Sequence, residues 1–151
     1  MTERKREQPA AGTGYHLKEV REGPLSFAGA ENEAPGKCLG QWGEELAAAW
    51  LAERGYRILE RNFRCRSGEI DLVALEGDCL VFVEVKSRRS LSFGSPCEGV
   101  TGEKRRRLLQ TARYYCMLRR PETRLMRMDV VEILRRDGKS YIRHIRDAFG
   151  E

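Results

Sequence analysis

The feature that most constrains this chain is a hydrophobic hairpin that carries four charged residues. Two strongly apolar segments, 68–75 and 80–86, are separated by Gly77-Asp78. This pair suits a two-residue type II′ turn, which has glycine at its first central position. A turn of known length fixes the register of both strands, because each further pair follows by counting. The sequence therefore predicts which side chains of the hairpin lie opposite one another.

The predicted register brings the four charges together on one face. Asp71 lies opposite Glu84, and Glu69 lies opposite Lys86. Opposed side chains have Cβ atoms about 4.5–5.5 Å apart, and like charges at that distance destabilise a strand pair. A divalent cation between Asp71 and Glu84 best accounts for the pair, so a metal-dependent site is the leading hypothesis. The opposite face is predicted to be wholly apolar, with Ile70, Leu72, Ala74, Val81, Val83 and Val85.

Composition predicts a single soluble domain. The chain has 151 residues, of which 40% are hydrophobic and 34% are charged. No apolar run approaches the ~20 residues of a membrane helix, and the charged N-terminus does not resemble a secretory signal. We therefore expect a cytoplasmic protein without a membrane partner. The five scattered cysteines include no C-x-x-C pair, which favours reduced thiols over a structural zinc site.

Basic residues account for the net charge of +5 and are unevenly placed. Their clusters lie at 61–66, 88–89, 104–107 and 119–120. Such runs are usually solvated surface, but these flank the acidic pair in sequence. Basic surfaces attract nucleic acid mainly through phosphate contacts, so nucleic acid is the expected partner. The residues assigned to this contact are Arg64, Arg66, Arg88, Lys104 and Arg105.

The remaining pattern predicts a mixed sheet between helices. Residues 1–36 are rich in proline and glycine and are expected to be disordered, so the folded domain is 37–151. The predicted elements are a helix at 39–54, a strand at 56–64, the hairpin, a helix at 101–119 with Thr101 as N-cap, and strands at 125–134 and around 141–142. A helix between the third and fourth strands implies a right-handed parallel crossover.

Both predicted helices bring a charged residue to the border of their buried faces. Glu44 shares a side of the first helix with Ala48 and Leu51, so it is expected at the rim of that face. Lys104 precedes Leu108 by one turn and extends the buried stripe of the second helix. The residues expected to be structural are Trp42, Trp50, Asp129 and His144.

Asp71 followed by Glu84-Val85-Lys86 is the D…E-x-K arrangement, and the element order resembles the core of the PD-(D/E)xK nuclease superfamily. More specifically, residues 38–149 resemble the YraN family of small bacterial proteins. The resemblance rests on an ordered series of motifs: Gly40-x-x-Gly43-Glu44, Gly55-Tyr56-x-Ile58-Leu59-x-x-Asn62, Gly68-Glu69-Ile70-Asp71-Leu72, Val81-Phe82-Val83-Glu84-Val85-Lys86-x-Arg88, Lys104, Arg127-x-Asp129-Val130-Val131 and His144-Ile145-x-x-Ala148-Phe149.

The resemblance implies a restriction-endonuclease-like fold, similar to archaeal Holliday-junction resolvases. It implies that Asp71, Glu84 and the carbonyl of Val85 bind Mg²⁺ or Mn²⁺, that Glu44 completes the site, and that Lys86 orients the attacking water. Carboxylate oxygens suit these ions. The sequence departs from the superfamily pattern in having isoleucine at position 70, where the superfamily name refers to proline. A homodimer is expected by analogy alone.

The charged hairpin also admits interpretations that need no metal. Glu69 and Lys86 can form a plain cross-strand ion pair. An arginine such as Arg64, Arg66 or Arg88 can reach across to the acidic pair, and the cluster is then purely structural. Three functions follow from these alternatives: a metal-dependent endonuclease acting on DNA, a nucleic-acid-binding module of the same fold with weak or no cleavage, and a protein scaffold.

Overall fold

The computed structural model describes residues 38–88, 102–136 and 139–149. The predictions for residues 1–36 and for Thr101 as an N-cap fall outside these ranges. The described elements, in chain order, are α1 (Leu39–Glu53), β1 (Arg57–Cys65), β2 (Gly68–Glu76), β3 (Cys79–Arg88), α2 (Gly102–Arg119), β4 (Leu125–Arg136) and β5 (Lys139–Ile145). Each lies where the hydrophobic pattern predicts it, within a few residues.

The strands form one five-stranded mixed sheet in the order β1-β2-β3-β4-β5. All neighbouring pairs are antiparallel except β3 and β4, which are parallel. The parallel pair follows from α2, because a chain that passes through a helix between two strands can return to the sheet in the same direction. The sheet flanked by two helices is the predicted fold class and is consistent with a nuclease-like core.

Each helix covers one face of the sheet with its own core. Trp42, Leu46 and Trp50 of α1 are buried against one face. Leu108, Ala112 and Tyr115 of α2 are buried against the other. The central strand β3 serves both, since its odd-numbered apolar residues join the α1 cluster and its even-numbered ones the α2 cluster. No helix in these described ranges is long and apolar enough to cross a membrane.

Local signals account for the end of α1 and for the hairpin turn. Gly55 has a φ of 87° and donates its N–H to the carbonyl of Ala52, so the chain leaves the helix through a conformation that glycine accepts readily. Gly77 has a φ of 59°, as the first central position of a type II′ turn requires. Glu76 pairs with Cys79, as the predicted two-residue turn requires, and the register continues to Leu72 opposite Val83.

One part of the predicted face pattern is wrong. Leu72 packs in the α1 cluster, but Ile70 packs with Phe63 in the α2 cluster. Opposite these residues on β1, Asn62 has a φ of 52° and interrupts the extended backbone. The prediction assumed that the regular pairing of β2 with β3 continues beyond Leu72, but the ladder ends at Leu72 and Val83, and Ile70 lies beyond its end.

Candidate functional site

Asp71 lies just beyond the last regular pair of β2 and β3. Its Oδ2 accepts a hydrogen bond from the backbone N–H of Val85 at 2.7 Å. The Asp71 side chain therefore replaces a backbone carbonyl as the hydrogen-bond acceptor of Val85. This bond keeps β2 and β3 together where their regular ladder ends. This contact directs the Asp71 carboxylate toward the Glu84-Val85-Lys86 segment.

The surroundings of Asp71 disfavour its negative charge. Burial is the largest effect and raises the pKa of Asp71 from 3.8 to about 7, while the hydrogen bond from Val85 lowers it. The charges of Glu84, Glu44 and Glu69 raise the pKa further. Three other carboxylates thus act on Asp71. The predicted pairings of Asp71 with Glu84 and of Glu69 with Lys86 are not part of the regular ladder, which ends at Leu72 and Val83. Such a cluster gains stability from any cation that enters it.

Glu44 reaches this cluster because α1 lies unusually close to β3. A Cβ atom added to Gly43 would lie 1.7 Å from Ser87 Oγ and 3.0 Å from Ser87 Cβ. Only glycine fits without a shift, so Gly43 sets the distance between the helix and the strand that carries Glu84. Glu44 is half-buried and the next residue, Glu45, is exposed, which agrees with the predicted position of Glu44 at the rim of the buried face.

Lys104 binds Glu84, and the sequence did not reveal this contact. The Lys104 Nζ lies 2.6 Å from Glu84 Oε1. The sequence predicts that Lys104 lies on the sheet-facing stripe of α2 and contacts phosphate. It does not predict the contact with Glu84, because the position of a helix relative to a strand far away in the chain cannot be found by counting residues. The signal that was available is the position of Lys104 one turn before Leu108, which points it at the sheet.

The other charged residues of the hairpin have partners of their own. Glu69 forms an ion pair with Arg64 at 3.3 Å, and the two are register partners across β1 and β2. This pair gives Glu69 a basic partner on β1. Lys86 is half-buried and lies in register with Glu132 of the parallel strand β4.

The five basic residues predicted to contact nucleic acid differ in their exposure to solvent and in the protein groups that they already bind. Arg64 and Arg66 are both exposed. Arg88 forms an ion pair with Glu132 at 3.4 Å. Arg105 donates a hydrogen bond to the carbonyl of Phe149 at 2.9 Å, which ties α2 to the chain after β5. The assignment of these residues to nucleic acid stays a prediction.

The donors of the acidic cluster fit a hard divalent cation by type, although the cluster is not arranged as a metal site. Within 38–88, 102–136 and 139–149, no three His, Cys, Asp or Glu side chains are grouped closely enough to hold an ion as they stand. One oxygen of Asp71 bonds to the Val85 N–H, and one oxygen of Glu84 bonds to Lys104. These two contacts satisfy part of the charge that a cation would otherwise neutralise.

A second buried charge cluster lies at Asp129 of β4. Its carboxylate accepts hydrogen bonds from Arg127 at 2.7 and 3.0 Å, from His144 at 2.8 Å and from the backbone N–H of Asp147 at 2.9 Å. Burial raises the pKa of Asp129, but the hydrogen bonds from His144 and Arg127 outweigh it and hold that pKa below its usual value. Asp129 and His144 are both buried and are bonded to each other, and their structural role stays a prediction.

Comparison with known proteins places the chain in a family. A family model described as "Uncharacterised protein family UPF0102" matches residues 43–133. A UPF0102 protein of Syntrophomonas wolfei is 53% identical over 111 residues, which is 74% of this chain and 96% of that protein. The chain belongs to the UPF0102 family. A UPF0102 protein of Rhodococcus opacus is 48% identical over 113 residues, which is 74% of this chain and 96% of that protein.

UPF0102 is the YraN family that the motifs resemble, so the predicted resemblance is confirmed. The matched range contains every residue predicted to bind metal or to take part in catalysis. The names of these UPF0102 proteins state no activity, substrate or ligand. What the UPF0102 chain does must therefore be inferred from the chemistry of its site.

Proposed function

We propose that this protein is a metal-dependent endonuclease that hydrolyses phosphodiester bonds in DNA. The observation that carries the proposal is Asp71, a half-buried carboxylate whose pKa is raised to about 7 by burial and by Glu84, Glu44 and Glu69. Buried carboxylates that repel one another destabilise a fold unless a cation neutralises them. Branched or otherwise structured DNA is the substrate that the resolvase resemblance favours.

The residues that would hold Mg²⁺ or Mn²⁺ are Asp71, Glu84, Glu44 and the carbonyl of Val85. A bound divalent cation would polarise the scissile phosphate and lower the pKa of a water molecule. Lys86 carries a compact positive charge on the same strand as Glu84, where it would orient the attacking water and stabilise the charge that develops on the phosphate oxygens. The basic side chains at positions 64 and 66 would contact the backbone phosphates of the substrate.

A nucleic-acid-binding module with weak or no cleavage is the second candidate. It is favoured by the pairing of Lys104 with Glu84 and of Val85 with Asp71, because both carboxylates already have a partner without a metal. In this case the acidic cluster is a structural feature, and the basic residues carry the function.

A cleavage assay separates the two candidates. Four-way junctions, forks, duplexes and single strands of DNA and RNA are incubated with the protein and Mg²⁺ or Mn²⁺. We expect metal-dependent cleavage of a DNA substrate that is lost in Asp71→Asn and in Lys86→Ala. Asp78→Asn is the matched control, because Asp78 is an exposed aspartate at the turn of the same hairpin.

Binding to the same substrates completes the assay. Binding that weakens as salt rises, with no cleavage of any substrate, supports the binding module. If the protein neither cleaves nor binds any of these nucleic acids, both candidates are wrong. Cleavage that persists in Asp71→Asn contradicts the assignment of the site.

A further inference from the structure

Lys104 and Glu84 form a short ion pair at the centre of the acidic cluster. The Nζ–Oε1 distance is 2.6 Å, and the exposed fractions of the two side chains are 41% and 14%. The carboxylate is therefore largely shielded from water while the ammonium remains partly solvated. A charge-assisted hydrogen bond of this length is stronger than one between neutral groups.

The helix that carries Lys104 is held against the sheet by its buried residues, while the ammonium of Lys104 lies at the end of a long side chain. Leu108, Ala112 and Tyr115 hold α2 against the sheet from the second turn onward. Lys104 lies in the first turn and reaches Glu84 through a flexible stem of four carbons. The ammonium can therefore change partners through rotation of its own side chain, without a movement of α2.

We propose that Lys104 is the built-in counter-cation of the site: it neutralises Glu84 when no metal is bound, and a divalent cation displaces it toward the phosphate of the nucleic acid. This inference rests on the proposed function. Lys104 is then a positioning residue that couples metal binding to nucleic-acid binding, since the same ammonium competes with the metal for Glu84 and attracts the phosphate of the nucleic acid.

The physical reason is that an ammonium and a divalent cation need the same carboxylate. A cation bound to Asp71 and Glu84 carries two positive charges and repels Lys104 from the oxygen that it occupies. The displaced ammonium remains beside the site, because α2 holds its Cα in place. A phosphate group that arrives there offers oxygens that a lysine binds as a point charge.

Metal titration by calorimetry tests the competition without relying on cleavage. Mn²⁺ and Mg²⁺ are titrated into the full-length protein and into Lys104→Gln, which removes the charge. We expect Lys104→Gln to bind the metal about five- to thirtyfold more tightly, because the competing cation is gone. Lys104→Arg, which keeps the charge, is expected to bind metal within about threefold of the original protein.

Arg106→Gln is the matched control, because Arg106 is exposed two residues further along the same helix. Its metal affinity is expected to equal that of the original protein. In the presence of Ca²⁺, which supports binding of oxygen ligands, Lys104→Gln is expected to bind DNA more weakly, with a smaller salt dependence than the original protein.

The outcomes distinguish this inference from the proposed function. Equal metal affinity in Lys104→Gln and the original protein overturns the competition and leaves the endonuclease proposal standing. Weaker metal binding in Lys104→Gln also overturns it, because the ion pair then serves to orient Glu84. Tighter metal binding without cleavage of any nucleic acid supports the competition and contradicts the endonuclease proposal. Metal binding by neither protein overturns both.

Discussion

Asp71 and Asp129 are two shielded aspartates whose pKa values shift in opposite directions. Burial and neighbouring carboxylates raise the pKa of Asp71 to about 7. Burial also acts on Asp129, but hydrogen bonds from His144 and Arg127 outweigh it and lower that pKa. Desolvation is common to both residues, so the difference lies in the charge of their partners. Of the two, Asp71 is the one left in an environment that favours an added cation.

Asp71→Asn is expected to stabilise the protein when no metal is present. The pKa of Asp71 is raised in the folded protein from its ordinary value of 3.8, so the folded state binds this proton more tightly. Stability is then greatest below pH ~4 and is lost as the pH rises toward ~7. Asparagine cannot ionise and avoids this loss. We expect a gain of about 2 kcal/mol in the free energy of unfolding at pH 8.

Urea denaturation with a chelator present, at a series of pH values, measures this gain. Asp78→Asn makes the same chemical change at an exposed position and is expected to alter stability by less than about 0.5 kcal/mol. A gain in Asp71→Asn that is the same at pH 4 and pH 8 contradicts the electrostatic origin.

Metal binding is expected to depend on pH because it competes with the Asp71 proton. At a pH below about 7 the carboxyl is protonated, and a metal must displace that proton to bind. We expect the affinity for Mn²⁺ to rise about tenfold per pH unit up to about pH 7 and to level off above it. Calorimetric titrations across this range measure the slope, and an affinity independent of pH would show that Asp71 is not a ligand.

At the scale of the elements, the contact between α1 and β3 determines where Glu44 lies. Gly43 faces Ser87 with no room for a Cβ atom, and Ser87 follows Glu84-Val85-Lys86 on β3. Glycine within a helix costs about 1 kcal/mol relative to alanine. The close approach to β3 that Gly43 permits offsets this cost, and it brings the carboxylate of α1 to the acidic cluster.

Gly43→Ala is expected to destabilise the protein by about 1–3 kcal/mol, because the added Cβ would overlap Ser87 Oγ. The same change is expected to weaken metal binding, since α1 must move away from β3. Gly40→Ala is the matched control on α1: its nearest contact would be Cys38 Sγ at 3.9 Å, and it is expected to be neutral or slightly stabilising. Thermal unfolding and Mn²⁺ titration of both variants measure these effects.

The double variant Gly43→Ala/Ser87→Gly identifies the cause. Ser87→Gly removes both atoms that the new Cβ would meet, so the two changes are expected to offset each other by at least about 1 kcal/mol in a double-mutant cycle. Purely additive effects would mean that the overlap with Ser87 does not account for the loss.

At the scale of the whole molecule, the segment after β5 (residues 147–149) connects strand β4 to the start of helix α2. The backbone N–H of Ala148 donates to the carbonyl of Met128 at 2.8 Å, and that of Asp147 donates to the Asp129 carboxylate. Arg105 at the start of α2 donates to the carbonyl of Phe149, whose side chain is buried in the α2 cluster. The beginning of α2, and with it Lys104, is therefore supported by the C-terminal segment.

Asp129→Asn is expected to cost about 2–4 kcal/mol of stability, because a neutral amide replaces the buried carboxylate that accepts hydrogen bonds from Arg127, His144 and the backbone N–H of Asp147. Arg127 keeps its second ion pair, with Glu76 at 2.8 Å. The lowered pKa of Asp129 means that its contribution is present above its unfolded pKa of ~4 and is lost as the pH falls through the lower folded value. The destabilisation should therefore diminish in acid, opposite in sign to the effect at Asp71.

The effect of Asp129→Asn is compared with that of Glu60→Gln, which removes the charge of an ion pair at the surface. Glu60 binds Arg119 through both oxygens at 2.9 and 3.0 Å, yet the pair is more exposed and is expected to contribute less than about 1 kcal/mol. Denaturation curves of both variants at neutral and acidic pH measure the contrast. Equal losses in the two variants would contradict the structural role of Asp129.

The sequence was sufficient for the hairpin because its register depends on local information. Gly77 fixed the turn, and counting from it gave the pairing that continues to Leu72 and Val83. The same counting failed for Ile70, which packs in the α2 cluster although strict alternation from Leu72 would place it in the α1 cluster. The regular ladder of β2 and β3 ends at Leu72 and Val83, and the hydrophobic pattern does not show where a ladder ends.

The sequence by itself determined the order of the elements, the register of the hairpin from its turn to Leu72 and Val83, and the presence of an acidic cluster near Asp71. Each of these follows from spacing along one helix or between two adjacent strands. Only the tertiary structure decided that Lys104 binds Glu84 and that Gly43 brings α1 against Ser87. The reason is that these contacts join separate elements, and their distances depend on how whole helices pack against the sheet.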